Sequence, residues 1–120
     1  MKTLKALTLL LAAMILTTGL SAQTSPKTGQ PSTKTETFKA YGNCDMCKSR
    51  IESALKTEGV KKAEWDQKTK IVKVTYDPSV ISMDAMQKKV ASAGHDTEKY
   101  RAPDDVYNKL PGCCHYTRAK

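Results

Sequence analysis

Four cysteines carry the chemistry that this sequence could perform. Cys44 and Cys47 form a C-x-x-C pair, whereas Cys113 and Cys114 are adjacent near the C-terminus and are followed by His115. Two thiolates at this spacing, where an extended run meets a helical one, can bind one soft metal ion or close on each other as a disulfide. A bond between adjacent cysteines closes a strained ring. The spacing therefore favours ligands or redox groups over a structural pair of disulfides.

The N-terminus has the pattern of a signal peptide for export. Lysines precede an apolar run over residues 6–16, which is shorter than the roughly 20 residues of a membrane-spanning helix. Small residues follow, and we expect cleavage after Ala22, with Ser21 as the second choice. The alternative is an uncleaved anchor. We therefore expect a periplasmic or secreted protein that lacks a membrane span once residues 1–22 are removed.

The size and charge of the remaining chain limit its function. Removing 22 of 120 residues leaves 98, enough for one small domain with a modest core. The formal charge falls from +8 to +6, because the removed segment contains two lysines and no acids. The lysines are scattered, so they form either a solvated surface or one that attracts acidic partners or anionic membranes. Export and the lack of an aromatic and basic stripe argue against nucleic-acid binding.

The segments around the C-x-x-C pair predict a linker, a strand and a helix. Residues 23–34 are rich in Ser, Thr and Pro and have no apolar period, which indicates a flexible linker. Residues 35–41 alternate as in a strand. From Asp45 the apolar residues recur at helical spacing, and Gly59 is the expected stop. Cys47 would then lie in the first helical turn, where the helix dipole favours a thiolate.

The second half of the domain predicts two more strands, a helix and an edge strand. Residues 60–65 and 71–76 alternate between apolar and polar side chains. Ser82 is placed to cap a helix that Gly94 ends. Residues 95–101 are polar but could form a last edge strand.

The predicted element order is β-α-β-β-α-β over residues 35–101. This order gives an α+β sandwich of the ferredoxin-like type, with two helices on one face of the sheet. Residues 102–120 form a C-terminal extension, in which residues 104–110 could be helical before a turn at Pro111 and Gly112. The last strand should end opposite the C-x-x-C pair, and the extension is long enough to return across the domain.

With this element order, the chain resembles the heavy-metal-associated domain family. The resemblance covers residues 36–101. It rests on the C-x-x-C pair and on three later segments, namely Gly59-Val60-Lys61-Lys62-Ala63, Val72-Lys73-Val74-Thr75-Tyr76-Asp77-Pro78 and Ala93-Gly94-His95. The family includes copper chaperones, the metal-binding domains of copper-exporting ATPases and periplasmic mercury-scavenging proteins.

The resemblance implies that the chain carries and hands on a soft metal ion without catalysis. Cys44 and Cys47 would be the primary ligands, with Cu(I) the expected ion and Hg(II) or Zn(II) the alternatives. An exposed dithiolate can exchange its metal with a partner thiol. The implied partner is a metal-exporting transporter or another metal-binding protein, and two chains could share one ion as a metal-bridged dimer.

The sequence departs from the family pattern around the metal loop. Residues 41–43 replace the usual Gly-Met-Thr, and the methionine that normally packs under the loop is absent. Met46 lies between the cysteines and cannot simply replace it. His95 follows the glycine that ends the second helix, where Tyr or Phe is common. The topology should place this loop beside Cys44, so His95 is a candidate third ligand or hydrogen-bond donor.

The extension and two rival functions remain open. Cys113, Cys114 and His115 could complete the first site, form a second one or act as a resolving thiol pair; alternatively, they belong to a disordered tail whose thiols oxidise. One rival is a thiol–disulfide oxidoreductase using Cys44 and Cys47. It is disfavoured because the element order is not that of thioredoxin and no proline precedes a strand opposite the site. The other rival is an interaction domain whose cysteines only form stabilising disulfides.

Overall fold

The computed structural model describes residues 32–118. The predicted signal peptide, its cleavage position and most of the predicted linker over residues 23–34 lie outside this range. Among the described residues, none of the helices has both the length and the apolar character needed to cross a bilayer.

The described chain is an α+β fold with a three-stranded antiparallel sheet. The strand order is β1-β3-β2, so β3 is central and pairs with both neighbours. The elements are β1 (Lys34–Lys39), α1 (Asp45–Ala54), β2 (Val60–Trp65), β3 (Ile71–Tyr76), α2 (Met83–Ser92), α3 (Asp104–Asn108) and a short 3-10 turn (Gly112–Cys114). The α+β class and the first five elements agree with the sequence analysis.

Alternating side chains of the central strand form the middle of the core. In β3, Val72, Val74 and Tyr76 are buried whereas Lys73 is exposed, as expected for a sheet with one covered face. Both helices contribute to the same core. Their most buried side chains are Cys47, Ile51, Met86, Gln87, Val90 and Ala91. Ser82 caps α2 as predicted, since its hydroxyl accepts a hydrogen bond from the backbone N–H of Ala85 at 3.1 Å.

The predicted edge strand over residues 95–101 is wrong. It is reduced to one antiparallel bridge between Ala40 and Thr97. The Thr97 N–H donates to the Tyr100 carbonyl at 2.7 Å and the Thr97 hydroxyl accepts from the Tyr100 N–H at 2.9 Å, so the chain turns immediately. A threonine side chain that bonds local backbone competes with strand pairing. The chain therefore turns back instead of continuing as a strand beside β1, although the side chains of Lys99 and Tyr100 still contact Asp84 in the first turn of α2.

The role predicted for Gly59 also needs correction. Helix α1 ends at Ala54 with Leu55 as its C-cap, so the helix stops well before the glycine. Gly59 has φ +90° in the turn that precedes β2, a conformation that favours glycine. Gly94 does follow the end of α2 as predicted, with φ +107°.

The C-terminal extension is part of the folded core. Leu110, Cys114 and Tyr116 are buried together with the side chains of the sheet and helices. Leu110 packs so closely on Gly94 that a β-carbon there would lie 2.9 Å from Leu110 Cδ2. The extension thus covers the end of α2, beside the point where β1 leads into α1.

Candidate metal-binding site

The two cysteines of the C-x-x-C pair occupy the start of α1. Cys44 is the N-cap residue, has extended backbone angles and makes no side-chain capping bond, so its thiol is left for other partners. Cys47 lies in the first turn and is fully buried. The two Sγ atoms are 3.5 Å apart, and the backbone N–H of Asn43 donates to Cys47 Sγ at 3.3 Å.

A tightly packed loop precedes this pair. A β-carbon on Gly42 would lie 2.8 Å from Cys47 Cβ and 3.1 Å from the Trp65 ring, so only glycine fits without displacement. Trp65 Nε1–H donates to the Ala40 carbonyl at 3.0 Å, and Lys70 Nζ donates to the Gly42 carbonyl at 2.6 Å. The indole ring therefore packs against the loop and fixes its path into α1.

Asn43 joins this loop to two other parts of the chain. Its carbonyl accepts from Gln67 Nε2 at 2.6 Å, which ties the loop to the turn after β2. Its Nδ2 donates to the carbonyl of His115 at 3.0 Å, which ties the loop to the extension. The loop that presents Cys44 is thus anchored on both sides.

The extension brings a third thiol to the C-x-x-C pair. Cys114 is fully buried, and its Sγ lies 3.8 Å from Cys44 Sγ. The sulfurs of Cys44, Cys47 and Cys114 all lie within 4.8 Å of one another. Cys113 is exposed and stays outside this three-sulfur cluster, with its Sγ 4.0 Å from that of Cys114. All four cysteines are free thiols.

His95 lies beside the metal loop, as the topology predicted, but outside the three-sulfur cluster. The ring is fully buried and stacks on Tyr116 at a centroid distance of 5.6 Å. Its Nδ1 is 2.8 Å from the Tyr41 carbonyl. A carbonyl only accepts, so Nδ1 carries the proton and Nε2 keeps a lone pair that has no hydrogen-bond partner. Burial is the largest cause that lowers the pKa of His95; the charge of Arg50 adds to it, and the hydrogen bond to Tyr41 opposes it.

His115 also lies outside the cluster. Its Nε2 is 2.9 Å from the Leu110 carbonyl, and its ring stacks on Tyr107 at 5.1 Å. Of the six residues considered as ligands from the sequence, the structure therefore brings together three, all of them cysteines.

The cluster stabilises the thiolate of Cys44. Burial opposes ionisation there. The Cys47 backbone N–H and the thiols of Cys113, Cys47 and Cys114 nevertheless lower the pKa of Cys44 to about 7. Burial, together with hydrogen bonds to Cys47 and Cys44, raises the pKa of Cys114. The hydrogen bond to Cys44, with burial, raises the pKa of Cys113. Neighbouring donors thus stabilise the Cys44 thiolate, and a soft cation can take their place by displacing protons.

Several residues that hold the extension in place were not identified from the sequence. Tyr116 donates its hydroxyl proton to the Gly94 carbonyl at 2.9 Å and accepts from the Asp96 N–H at 2.7 Å. Arg118 pairs with Asp96 at 2.8 Å. The available signal was Tyr107 and Tyr116 on either side of the cysteines, because aromatic residues in an otherwise polar tail indicate that the tail packs against something.

The fold and the sulfur cluster together define a small metal-binding α+β domain. The family described as the heavy-metal-associated domain matches residues 43–96. The mercuric transport protein periplasmic component of Shewanella putrefaciens is 35% identical over 89 residues, which is 73% of this chain and 91% of that protein. This chain belongs to the heavy-metal-associated domain family, so the predicted resemblance is confirmed.

Two further relatives have names that refer to copper. The copper chaperone CopZ of Staphylococcus haemolyticus is 37% identical over 57 residues, which is 47% of this chain and 84% of the chaperone. A copper-exporting P-type ATPase of Staphylococcus saprophyticus is 38% identical over 56 residues, which is 46% of this chain but only 7% of the ATPase.

A solved structure of a CopZ metallochaperone confirms the ferredoxin-like class. The match has a TM-score of 0.52 and 32% identity, and it covers 53% of this chain and 98% of that one. The match to the family ends at residue 96, so the extension with Cys113 and Cys114 lies outside it.

Proposed function

We propose that this protein is an exported carrier of a soft metal ion, with Cu(I) as the first candidate, which it binds through Cys44 and Cys47. The observation that carries the proposal is the convergence of the two thiols at the N-terminus of α1, 3.5 Å apart. The half-buried Cys44 has a pKa of about 7, so about half of this ligand is a thiolate at neutral pH. Soft thiolates suit Cu(I) and Hg(II), and relatives are named for both copper and mercury.

Zn(II) fits the described site less well than the soft ions do. Structural zinc sites take four protein ligands, whereas the cluster brings together three sulfurs with His95 and His115 outside it. Cu(I) and Hg(II) accept fewer sulfur ligands, so they need no further group.

Hand-off to a partner would occur by ligand exchange. A thiolate of the partner would bind the ion as one protein thiolate leaves, without net oxidation or reduction. Cys44 is half-buried, so it offers the accessible side of the pair. The partner we infer is a metal-exporting transporter or another metal-binding protein, supported by the relative that is a copper-exporting ATPase. This transfer requires no catalytic group.

Export is part of the proposal. Its support is the pattern of residues 1–22 and the relative named as a periplasmic component. The mass and N-terminal sequence of the chain recovered after export should show cleavage after Ala22. Recovery of the uncleaved chain in the membrane fraction would instead identify residues 1–22 as an anchor.

Anaerobic titration of the reduced, exported chain tests the metal proposal. We expect one Cu(I) or Hg(II) per chain, retained against a chelator, and delivery of Cu(I) to the isolated metal-binding domain of a copper-exporting ATPase. Cys44→Ser and Cys47→Ser should each strongly reduce retention, whereas Ser49→Ala on the exposed face of α1 should not. Weak binding of both ions together with rapid reduction of protein disulfides would favour the oxidoreductase instead.

A further inference from the structure

We propose that the C-terminal extension supplies a third metal ligand, and that Cys114 joins Cys44 and Cys47 in a three-thiolate site. This inference rests on the proposed function, because it requires the C-x-x-C pair to bind a metal ion. It goes beyond that function because Cys114 lies outside the segment that matches the family.

The distances between the sulfurs fit three ligands better than two. With a metal–sulfur bond of about 2.3 Å, two sulfurs lie about 4.6 Å apart in a linear site and about 4.0 Å apart in a trigonal one. Cys44 and Cys47 are 3.5 Å apart, and Cys44 and Cys114 are 3.8 Å apart. The third separation is within 4.8 Å. A linear dithiolate would require the C-x-x-C pair to open by about 1 Å, whereas a trigonal site needs smaller shifts.

Cys114 is held in this position by contacts on both sides of it in the sequence. Before it, Leu110 is buried against Gly94. After it, Tyr116 is buried and hydrogen-bonded to the backbone of residues 94 and 96. Arg118 then pairs with Asp96, and their side chains are only 11% and 5% exposed. These anchors give the thiol a fixed place, as a preorganised ligand requires.

The alternative is that Cys114 is only a small buried side chain. Free cysteines are often buried as apolar groups, so burial alone decides nothing. A packing residue, however, has no reason to direct its sulfur at two other sulfurs that themselves form a ligand pair. Asn43 adds a direct link, because its Nδ2 holds the His115 carbonyl next to Cys114 while its backbone N–H donates to Cys47 Sγ. The extension and the metal loop are thus joined at the site itself.

A third thiolate would change how the site exchanges metal. In a two-coordinate site a partner thiolate can add directly to the ion. In a three-thiolate site one more metal–sulfur bond must break before the ion is transferred, so the protein retains its ion for longer. Cys113, exposed and one residue away, is the thiol best placed to receive the ion during such an exchange.

The adjacent cysteines provide a matched pair of variants. The full exported chain is reduced and loaded anaerobically with one Cu(I), and X-ray absorption measures the number of sulfur ligands and the metal–sulfur distance. We expect three sulfurs in the wild type and in Cys113→Ser, but two sulfurs at a shorter distance in Cys114→Ser. Loss of Cu(I) to an excess of chelator should be at least tenfold faster in Cys114→Ser than in Cys113→Ser.

The measurements separate failure of this inference from failure of the proposed function. Two sulfur ligands in the loaded wild type, or loss of the third sulfur in Cys113→Ser, would overturn the role of Cys114 and leave the carrier function intact. Failure of the wild type to retain any soft ion would overturn both. Cys114→Ala serves as a second variant in case a buried serine disturbs folding, and the wild-type sulfur count needs no variant.

Discussion

The C-x-x-C pair and Cys114 reach the same site by different physical routes. Cys44 and Cys47 are placed by regular secondary structure, at the junction between a strand and the first turn of a helix. Cys113 and Cys114 lie in a three-residue 3-10 turn, which has little regular hydrogen bonding of its own. Their position depends on side chains that dock the extension onto the domain. The comparison separates a site built into the core from a ligand attached to it.

This difference predicts different stabilities for the two halves of the site. The loop before Cys44 rests on Trp65, a fully buried core residue, so we expect its opening to require disruption of the core. The extension packs through Leu110 and Tyr116 and pairs Arg118 with Asp96, but it adds no strand to the sheet, so we expect it to open locally more often than the loop does. Ligands of unequal stability suit a carrier, because the less stable one can leave while the other two still hold the ion.

Trp65→Ala should have the largest effect and should release both pairs together. It removes a fully buried indole that packs on Gly42 and donates to the Ala40 carbonyl. We expect a loss of about 3–5 kcal/mol in the free energy of unfolding, measured by denaturant titration. Thiol-labelling rates should rise by similar factors for the buried Cys47 and Cys114.

Trp65→Phe is the control for this change. It keeps an aromatic ring in the same place and loses the indole N–H hydrogen bond. We therefore expect a loss of about 1–2 kcal/mol in the free energy of unfolding. If Trp65→Ala accelerated labelling of Cys47 but not of Cys114, the extension would keep its structure without the loop. The expected order of stability of the two regions would then be reversed.

Tyr116→Phe should have a smaller effect, confined to the extension. The lost hydroxyl leaves the Asp96 N–H without its acceptor in a buried position, which costs about 1–3 kcal/mol. Labelling of Cys114 should accelerate, whereas labelling of Cys47 should not. Both rates can be measured by mass spectrometry after timed alkylation of the reduced protein.

Tyr107→Phe is the matched control in the same extension. It removes a hydroxyl from a half-buried ring in the same way, and that hydroxyl donates a hydrogen bond to the Tyr116 carbonyl at 2.7 Å. We expect Tyr107→Phe to accelerate the labelling of Cys114 less than Tyr116→Phe does. Equal acceleration of Cys47 and Cys114 in Tyr116→Phe would show that the extension and the core open as one unit.

The core of the fold could be predicted from sequence because its signals are local and periodic. The alternation of residues 71–76 and the Ser82 cap each depend on neighbours in the chain. The edge strand failed because a local turn, closed by hydrogen bonds between Thr97 and Tyr100, outweighed a weak strand tendency in polar residues. The stop at Gly59 failed for a similar reason, since that glycine serves the turn before β2.

The site could be predicted only as far as local signals reach. The position of Cys47 in the first helical turn follows from spacing, and the place of His95 beside the loop follows from topology. The position of Cys114 beside the C-x-x-C pair does not follow from local signals. It depends on Tyr116, whose hydroxyl bonds backbone atoms some 20 residues earlier. Stacking and buried ion pairs of this kind leave no periodic pattern in a sequence.

The smallest expected effect is a difference in reactivity between Cys44 and Cys113, which tests the electrostatic side of the comparison. The pKa of Cys44 is about 7, whereas that of Cys113 is raised above its ordinary value. The alkylation rate of Cys44 should therefore rise from about pH 6 to pH 8 and then level off, while that of Cys113 keeps rising.

At pH 7 the half-buried Cys44 should react faster than the exposed Cys113, by about three- to tenfold. The factor is smaller than the difference in thiolate fraction because a less basic thiolate is also a weaker nucleophile. Peptide mapping after limited iodoacetamide treatment of the metal-free protein gives both rates. Cys114→Ala should reduce the advantage, because it removes one of the thiols that donate to Cys44. Parallel pH profiles for Cys44 and Cys113 would mean that the two regions do not differ electrostatically, and that exposure alone sets which thiol a metal ion or a partner meets first.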